Sequence, residues 1–175
     1  MKKWMIAVLS ATLSLSAMAQ QEELQELPGY VEFGELTSVY GEPKVMINIG
    51  SSLLKFMSAA TKSDPEASAL LQGLKGVRIN VYSTEGQTGP ALEQLTKVKS
   101  MLLDQDWEPI VQVKEAEEEV QIFMKLDGEA VQGLVVMAVD GDEAVFINII
   151  GMIDPAKLEQ VMDQFDVKVD LKEPT

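Results

Sequence analysis

The chain has 175 residues, with 28 acidic against 14 basic side chains, no cysteine, no histidine and a formal net charge of −14. Without a thiol or an imidazole, disulfides, thiolate or histidine metal sites, a cysteine nucleophile and a Ser-His-Asp triad are excluded. A surface this acidic, with Arg78 as its single arginine, repels nucleic acid and anionic headgroups, so nucleic-acid binding is excluded too.

The first twenty residues read "MKKWMIAVLSATLSLSAMAQ". Lys2 and Lys3 form a positive n-region, Trp4 to Leu15 an apolar stretch and Ala17-Met18-Ala19 an A-x-A site. This is the pattern of a signal peptide over residues 1–19, with cleavage expected after Ala19. The apolar stretch is shorter than the ~20 residues that span a bilayer, and no second long one follows. The mature form is therefore expected to be periplasmic or secreted, with no membrane span. Loss of residues 1–19 removes two basic residues and no acid, which takes the net charge to −16.

Residues 20–36 read as a polar N-terminal segment, 37–166 as a single domain and 167–175 as a C-terminal tail. A first strand is predicted from Lys44 to Ile49, followed by a helix whose apolar positions Leu53, Leu54, Met57 and Ala60 recur at helical spacing. Asp64 and Pro65 open a second helix as N-cap and first-turn residue, and Gly73 and Gly76 close it. Val77 to Ser83 is a strand, and Ala91 to Gln105 a helix with Leu92, Leu95, Val98 and Met101/Leu102 on one stripe. From Trp107 the apolar period becomes two, through "WEPIVQV", "VQIFMKL", "VQGLVVMAV" and "AVFINII". Asp127-Gly128 and Asp140-Gly141 mark hairpins between the last three. Asp154-Pro155 starts a last helix with Leu158, Val161, Met162 and Phe165 inward. The order βααβαββββα is α+β, a mostly antiparallel sheet with helices packed on it.

Side chains alternate along a strand, and two- or four-residue loops preserve parity. Val120, Ile122, Met124, Val131, Val135, Met137, Phe146, Asn148 and Ile150 are thus expected on one face, beneath helices. The other collects Gln121, Phe123, Lys125, Gln132, Leu134, Val136, Val145, Ile147 and Ile149. It is apolar in the middle and needs cover. Phe123, Leu134, Val136, Val145, Ile147 and Ile149 form the candidate interaction face.

Other motifs carry less. Ser52-x-x-Lys55 has the spacing of penicillin-recognising enzymes but lacks their companion motifs, and reads as a helix start with an exposed lysine. Asp140 and Asp142 fit the first and third positions of a calcium loop, but Ala144 stands at the fifth and no glutamate at the twelfth. They read as a solvated hairpin turn, and the acids of "KEAEEE", Lys114 to Glu119, as another. Asn48 and Asn148 read as side chains that satisfy hydrogen bonds near the sheet's ends. Arg78 is expected to find a carboxylate, and is the candidate contact for a small anion. The methionines read as core filler, and no residue pattern implies a cofactor or metal.

Three stretches, "LLQGLKGVRINVYS", "DWEPIVQVKEAEEEVQIFMKLDG" and "VQGLVVMAVDGDEAVFINIIGMIDPAKL", resemble an uncharacterised family of bacterial exported proteins, domain of unknown function 4252. The similarity runs from Thr37 to Gln164. It implies a single domain and residence in the cell envelope, and brings no catalytic residue, substrate or cofactor. The expected function is a non-catalytic binding or interaction module of the cell envelope, with a protein partner or a homodimer on the apolar face. The alternatives are an enzyme that uses carboxylates alone and a carrier of an apolar small molecule.

Overall fold

The computed structural model describes residues 23–61, 63–116 and 118–153. In chain order the elements are α1 (Leu36–Tyr40), β1 (Val45–Gly50), α2 (Ser51–Ala60), α3 (Pro65–Gly73), β2 (Leu74–Ser83) and α4 (Thr88–Asp104). The strands β3 (Trp107–Lys114), β4 (Glu119–Asp127), β5 (Ala130–Val139) and β6 (Glu143–Ile153) follow. All six strands form one antiparallel sheet in the order β1-β2-β6-β5-β4-β3. This is the α+β architecture that the periodicity predicts. The predicted signal peptide and the helix after Asp154 lie outside the described residues.

Local chemistry explains several boundaries. The Asp64 carboxylate accepts a hydrogen bond from the Ala67 N–H at 3.0 Å, an N-cap bond that starts α3 with Pro65 in its first turn. Gly128, at φ 61°, turns β4 into β5. Asp140 Oδ1 accepts from the N–H groups of Asp142 at 2.7 Å and Glu143 at 2.8 Å. That Asx turn joins β5 to β6.

Helix α4 carries the chain from β2 to the far edge at β3, lying across one face of the sheet. Its buried Ala91, Leu95, Val98 and Leu102 join a core with Phe123, Val135, Met137 and Phe146. Val31, Phe33 and Leu36 belong to the same core, so the segment expected to be a polar appendage packs as a strap beside α4. Phe33, Tyr40, Tyr82 and Phe146 form an aromatic cluster with ring centroids 5.2–6.3 Å apart. The opposite face holds a second core of Ile122, Val131, Leu134, Ile149 and Ile153, with Leu70 of α3 against it.

The register corrects the expected faces. Asp127 pairs with Ala130 and Leu126 with Val131, but Lys125 pairs with Gly133, leaving Gln132 as an extra residue in β5. A bulge of one residue reverses alternation beyond it. Phe123 therefore lies opposite Val135, and Ile122 opposite Val136, which in turn faces Ile147. The expected parity of β5 and β6 stands from Gly133 onward, whereas that of β4 is inverted and Val131 joins the face of Leu134. Phe123 does not share a face with Leu134, Val136, Val145, Ile147 and Ile149; it is core under α4.

At the bulge the strap touches β5 backbone to backbone. A Cβ on Gly29 would stand 2.0 Å from the Gln132 carbonyl oxygen, and one on Gly133 2.7 Å from the Gly29 Cα. Gly29→Ala should lower unfolding stability by about 2–3 kcal/mol through this overlap. Gly89→Ala in α4, where an added Cβ meets nothing within 4 Å, should be neutral or stabilising by up to about 1 kcal/mol. Urea denaturation of both variants checks the contrast.

Candidate functional site

Once the register is fixed, one face resolves into apolar rows that cross the sheet. Ile47, Ile79, Ile147, Val136, Ile122 and Val111 are successive cross-strand neighbours over all six strands. A parallel row runs Val45, Val81, Val145, Ala138, Val120 and Val113. A third runs Ile49, Val77, Ile149, Leu134 and Met124 before it ends at Glu108. β-Branched side chains suit this pleated surface and pack against their neighbours in each row.

Helices α2 and α3 contact β1 and β2, and α3 also reaches β6. Ile149, Leu134 and Ile122 are buried, whereas Val136, Val145 and Ile147 stay half-buried and Val45 and Val113 exposed. Five of the six residues in the expected interaction face, Leu134, Val136, Val145, Ile147 and Ile149, are thus brought together. The missed members Val77, Ile79 and Val81 come from β2, whose "VRINVYS" does show the alternation.

The other face carries a polar seam. Asn148 is fully buried. Its Nδ2 donates to the carbonyls of Gly29 at 2.9 Å and Leu134 at 3.4 Å, and its Oδ1 accepts the Val31 N–H at 3.0 Å. It lies next to Arg78 in the pairing, with Asn48 beyond. Arg78 Nη1 donates to the Val31 carbonyl at 2.7 Å, and its guanidinium lies 4.5 Å from the Tyr30 ring centroid. The partners of Arg78 are therefore a carbonyl and an aromatic face; among the described residues it forms no ion pair. Asn148 is satisfied, as expected, but it does so by clipping the strap onto the sheet, away from any turn.

The titratable groups of this face respond to burial. The Tyr40 hydroxyl donates to the Ala91 carbonyl at 2.9 Å, and burial, reinforced by neighbouring Tyr82, pushes it far above the usual phenol range. Tyr82 is raised mainly by burial. Tyr30 is raised by burial against the opposing pull of Arg78, with Glu32 accepting its hydroxyl proton.

Carboxylates are spread over turns and edges. Glu119 is buried, accepts a hydrogen bond from Gln121 Nε2, and pairs with Lys114 at 3.4 Å. Asp140 is occupied by its own turn. Among the described residues no group of three or more acids could hold a metal ion. Ser52 and Lys55 sit exposed at the start of α2. A cavity of about 110 Å³ at the bulge, lined by Pro28, Gly29, Gln132 and Gly151 among others, is below the ~300 Å³ of ordinary small-molecule sites.

Two consequences are measurable. Asn148→Ala strands the Gly29 carbonyl and the Val31 N–H and should cost about 2–4 kcal/mol in urea denaturation. A phenol whose folded pKa is raised contributes stability that is full below the unfolded value near 10 and is lost as pH rises toward the folded value. Tyr40→Phe should therefore flatten the loss of stability above pH ~10, while costing about 1 kcal/mol at neutral pH for the bond to Ala91. Thermal melts from pH 7 to 11 check both signs.

The sequence pattern of a family described as a domain of unknown function (DUF4252) matches residues 40–161, more than half of the chain. No curated protein matches it.

Proposed function

The chain belongs to the DUF4252 family, and from that premise we propose that it is a non-catalytic binding module of the cell envelope. It is exported by residues 1–19 and captures a protein partner on the apolar face of its sheet. The observation that carries this reading is the set of Ile/Val rows, which continue across all six strands while α2 and α3 reach only one side. An apolar expanse of that extent, half-buried at Val136, Val145 and Ile147, has little reason to persist without something to cover it.

Acid–base catalysis by carboxylates needs two acids that face each other in unequal environments. Among the described residues the one buried carboxylate, Glu119, faces an amide and a lysine. That arrangement supports binding over hydrolysis. The cavity at the bulge is small, and the larger hollow of about 590 Å³ along α4 is lined mostly by exposed residues such as Thr96, Lys97, Ser100 and Asp104. Neither encloses an apolar molecule, which favours a partner docked on the outside over a carried one.

Site-specific photocrosslinking in the intact cell envelope tests the proposal. A photoreactive residue at Val145 or Ile147 should yield one discrete crosslinked protein, and one at exposed Lys97 on α4 should not. Val145→Lys should abolish that product while shifting Tm by less than about 5 °C. Equal crosslinking from Lys97 would show capture to be non-specific, and no product from Val145 and Ile147, or unfolding of Val145→Lys, would show the face to be ordinary core.

A further inference from the structure

The apolar face is buried unevenly. In the row through Val145 no residue is buried, and Val45 and Val113 at its ends are exposed. One row further along the strands Ile122 keeps only 1% of its surface, and in the next Leu134 keeps 2%. Val131, at the bulge, keeps 0%. Neighbouring strands stand about 4.8 Å to either side and shield a side chain only at its flanks. A residue in mid-sheet leaves water altogether when a second layer packs over it.

The described helices pack elsewhere. Helix α2 sits chiefly on β1 and β2, α3 chiefly on β2 and β6, and α4 on the opposite face. Leu70 of α3 reaches this core from the β6 side. Ile122 lies on β4, two strands beyond β6, outside the reach of those contacts.

Two long stretches of chain lie outside the described residues, before Glu23 and after Ile153, and the strands show which of them is near. The strap runs on the α4 side, where an added Cβ on Gly76 would meet Leu24 and the Val31 N–H reaches Asn148. Strand β6 ends on the other side. Its last residue, Ile153, pairs with Val131 and belongs to the core of Ile122, Leu134 and Ile149. The chain beyond it starts at the rim of the covered area.

The sequence there suits the place. Leu158, Val161, Met162 and Phe165 recur at i, i+3, i+4 and i+7, while Glu159, Gln160 and Asp163 fall on the other side of the same helical wheel. A helix over residues 154–166 would be about 20 Å long. The path from β6 across β5 and β4 to β3 is three strand spacings, or about 14 Å.

We propose that residues 154–166 dock across β5 and β4 beside α3, with this apolar stripe on Leu134 and Ile122. The chain's own C-terminal segment then closes the two rows nearer the bulge and leaves the row through Val145 open. This docking stands on burial and chain direction; only the assignment of the open row to a partner rests on the function proposed above.

A photoreactive residue at Met124, on β4 in the covered area, tests it in the purified full-length exported protein. Peptide mapping should place the intramolecular crosslink within residues 154–166, and the same group at Lys97 on α4 should give none there. A second readout uses Ile122→Cys, the only thiol in a chain without cysteine. Val161→Glu should speed its labelling by a thiol reagent about tenfold or more, with β-sheet circular dichroism retained. If Val161→Glu unfolds, the Met124 crosslink decides. Crosslinks from Met124 that fall only on α3 or on residues before Glu23, or none at all, would overturn the proposal, as would an unchanged labelling rate in folded Val161→Glu. Loss of the Val145 product in the cell envelope would instead remove the partner and leave the docking in place.

Discussion

Between Val131 and Gly133 the fifth strand carries one residue more than the fourth has partners for, and alternation reverses at that point. Which side chains of β4 meet those of β5 and β6 depends on this extra residue. It sends Phe123 under α4 with Val135 and Phe146, and Ile122 to the far side with Val136 and Ile147. Without it β4 would bring Gln121 and Lys125 into the Ile/Val rows, and the apolar face would be broken at its fourth strand. The irregularity passes on through neighbouring strands, since β6 and β2 also shift register close to Gly151 and Gly76. Gly151 takes φ 134°, a conformation that side chains with a Cβ rarely adopt.

The two faces then play different parts. One is sealed by α4, the aromatic cluster and the strap, which Asn148 and Arg78 hold through the backbone of residues 29–31. The buried Asn148 amide and the half-buried Arg78 guanidinium tolerate that position because each finds a carbonyl, an N–H or a ring. Among the described residues the other face has no such polar anchor. Its rows of Ile and Val continue past α2 and α3, and α2 adds a second outward apolar surface at the edge through Leu53, Phe56 and Met57. A strongly acidic chain that keeps both surfaces free of carboxylates has separated solubility from contact.

Much of this was legible from residue order alone. Period-two runs located β3 to β6, Asp64-Pro65 located the start of α3, and Asp-Gly pairs located both hairpins. Face assignment was not legible, because "DGEAVQG" gives no sign that Gln132 is left unpaired; only the adjacent Gly133 hints at a close backbone approach. The strap went unread although Val31 and Phe33 alternate with Glu32, since flanking acids made the segment look solvated. Helical spacing in α2 was legible, yet of the four apolar positions that show it only Leu54 is buried. Periodicity tells which side of a helix is apolar; whether that side meets its own sheet or another surface is decided by tertiary placement.

The absence of cysteine from the chain makes disulfide trapping the most direct test of the register. Cysteines at positions 122 and 136, cross-strand neighbours on the apolar face, should oxidise to an intramolecular bond in the folded protein. Cysteines at 122 and 135, which point to opposite faces, should remain free thiols. A bond between 122 and 135, with none between 122 and 136, would place Ile122 beside Phe146 and contradict the account.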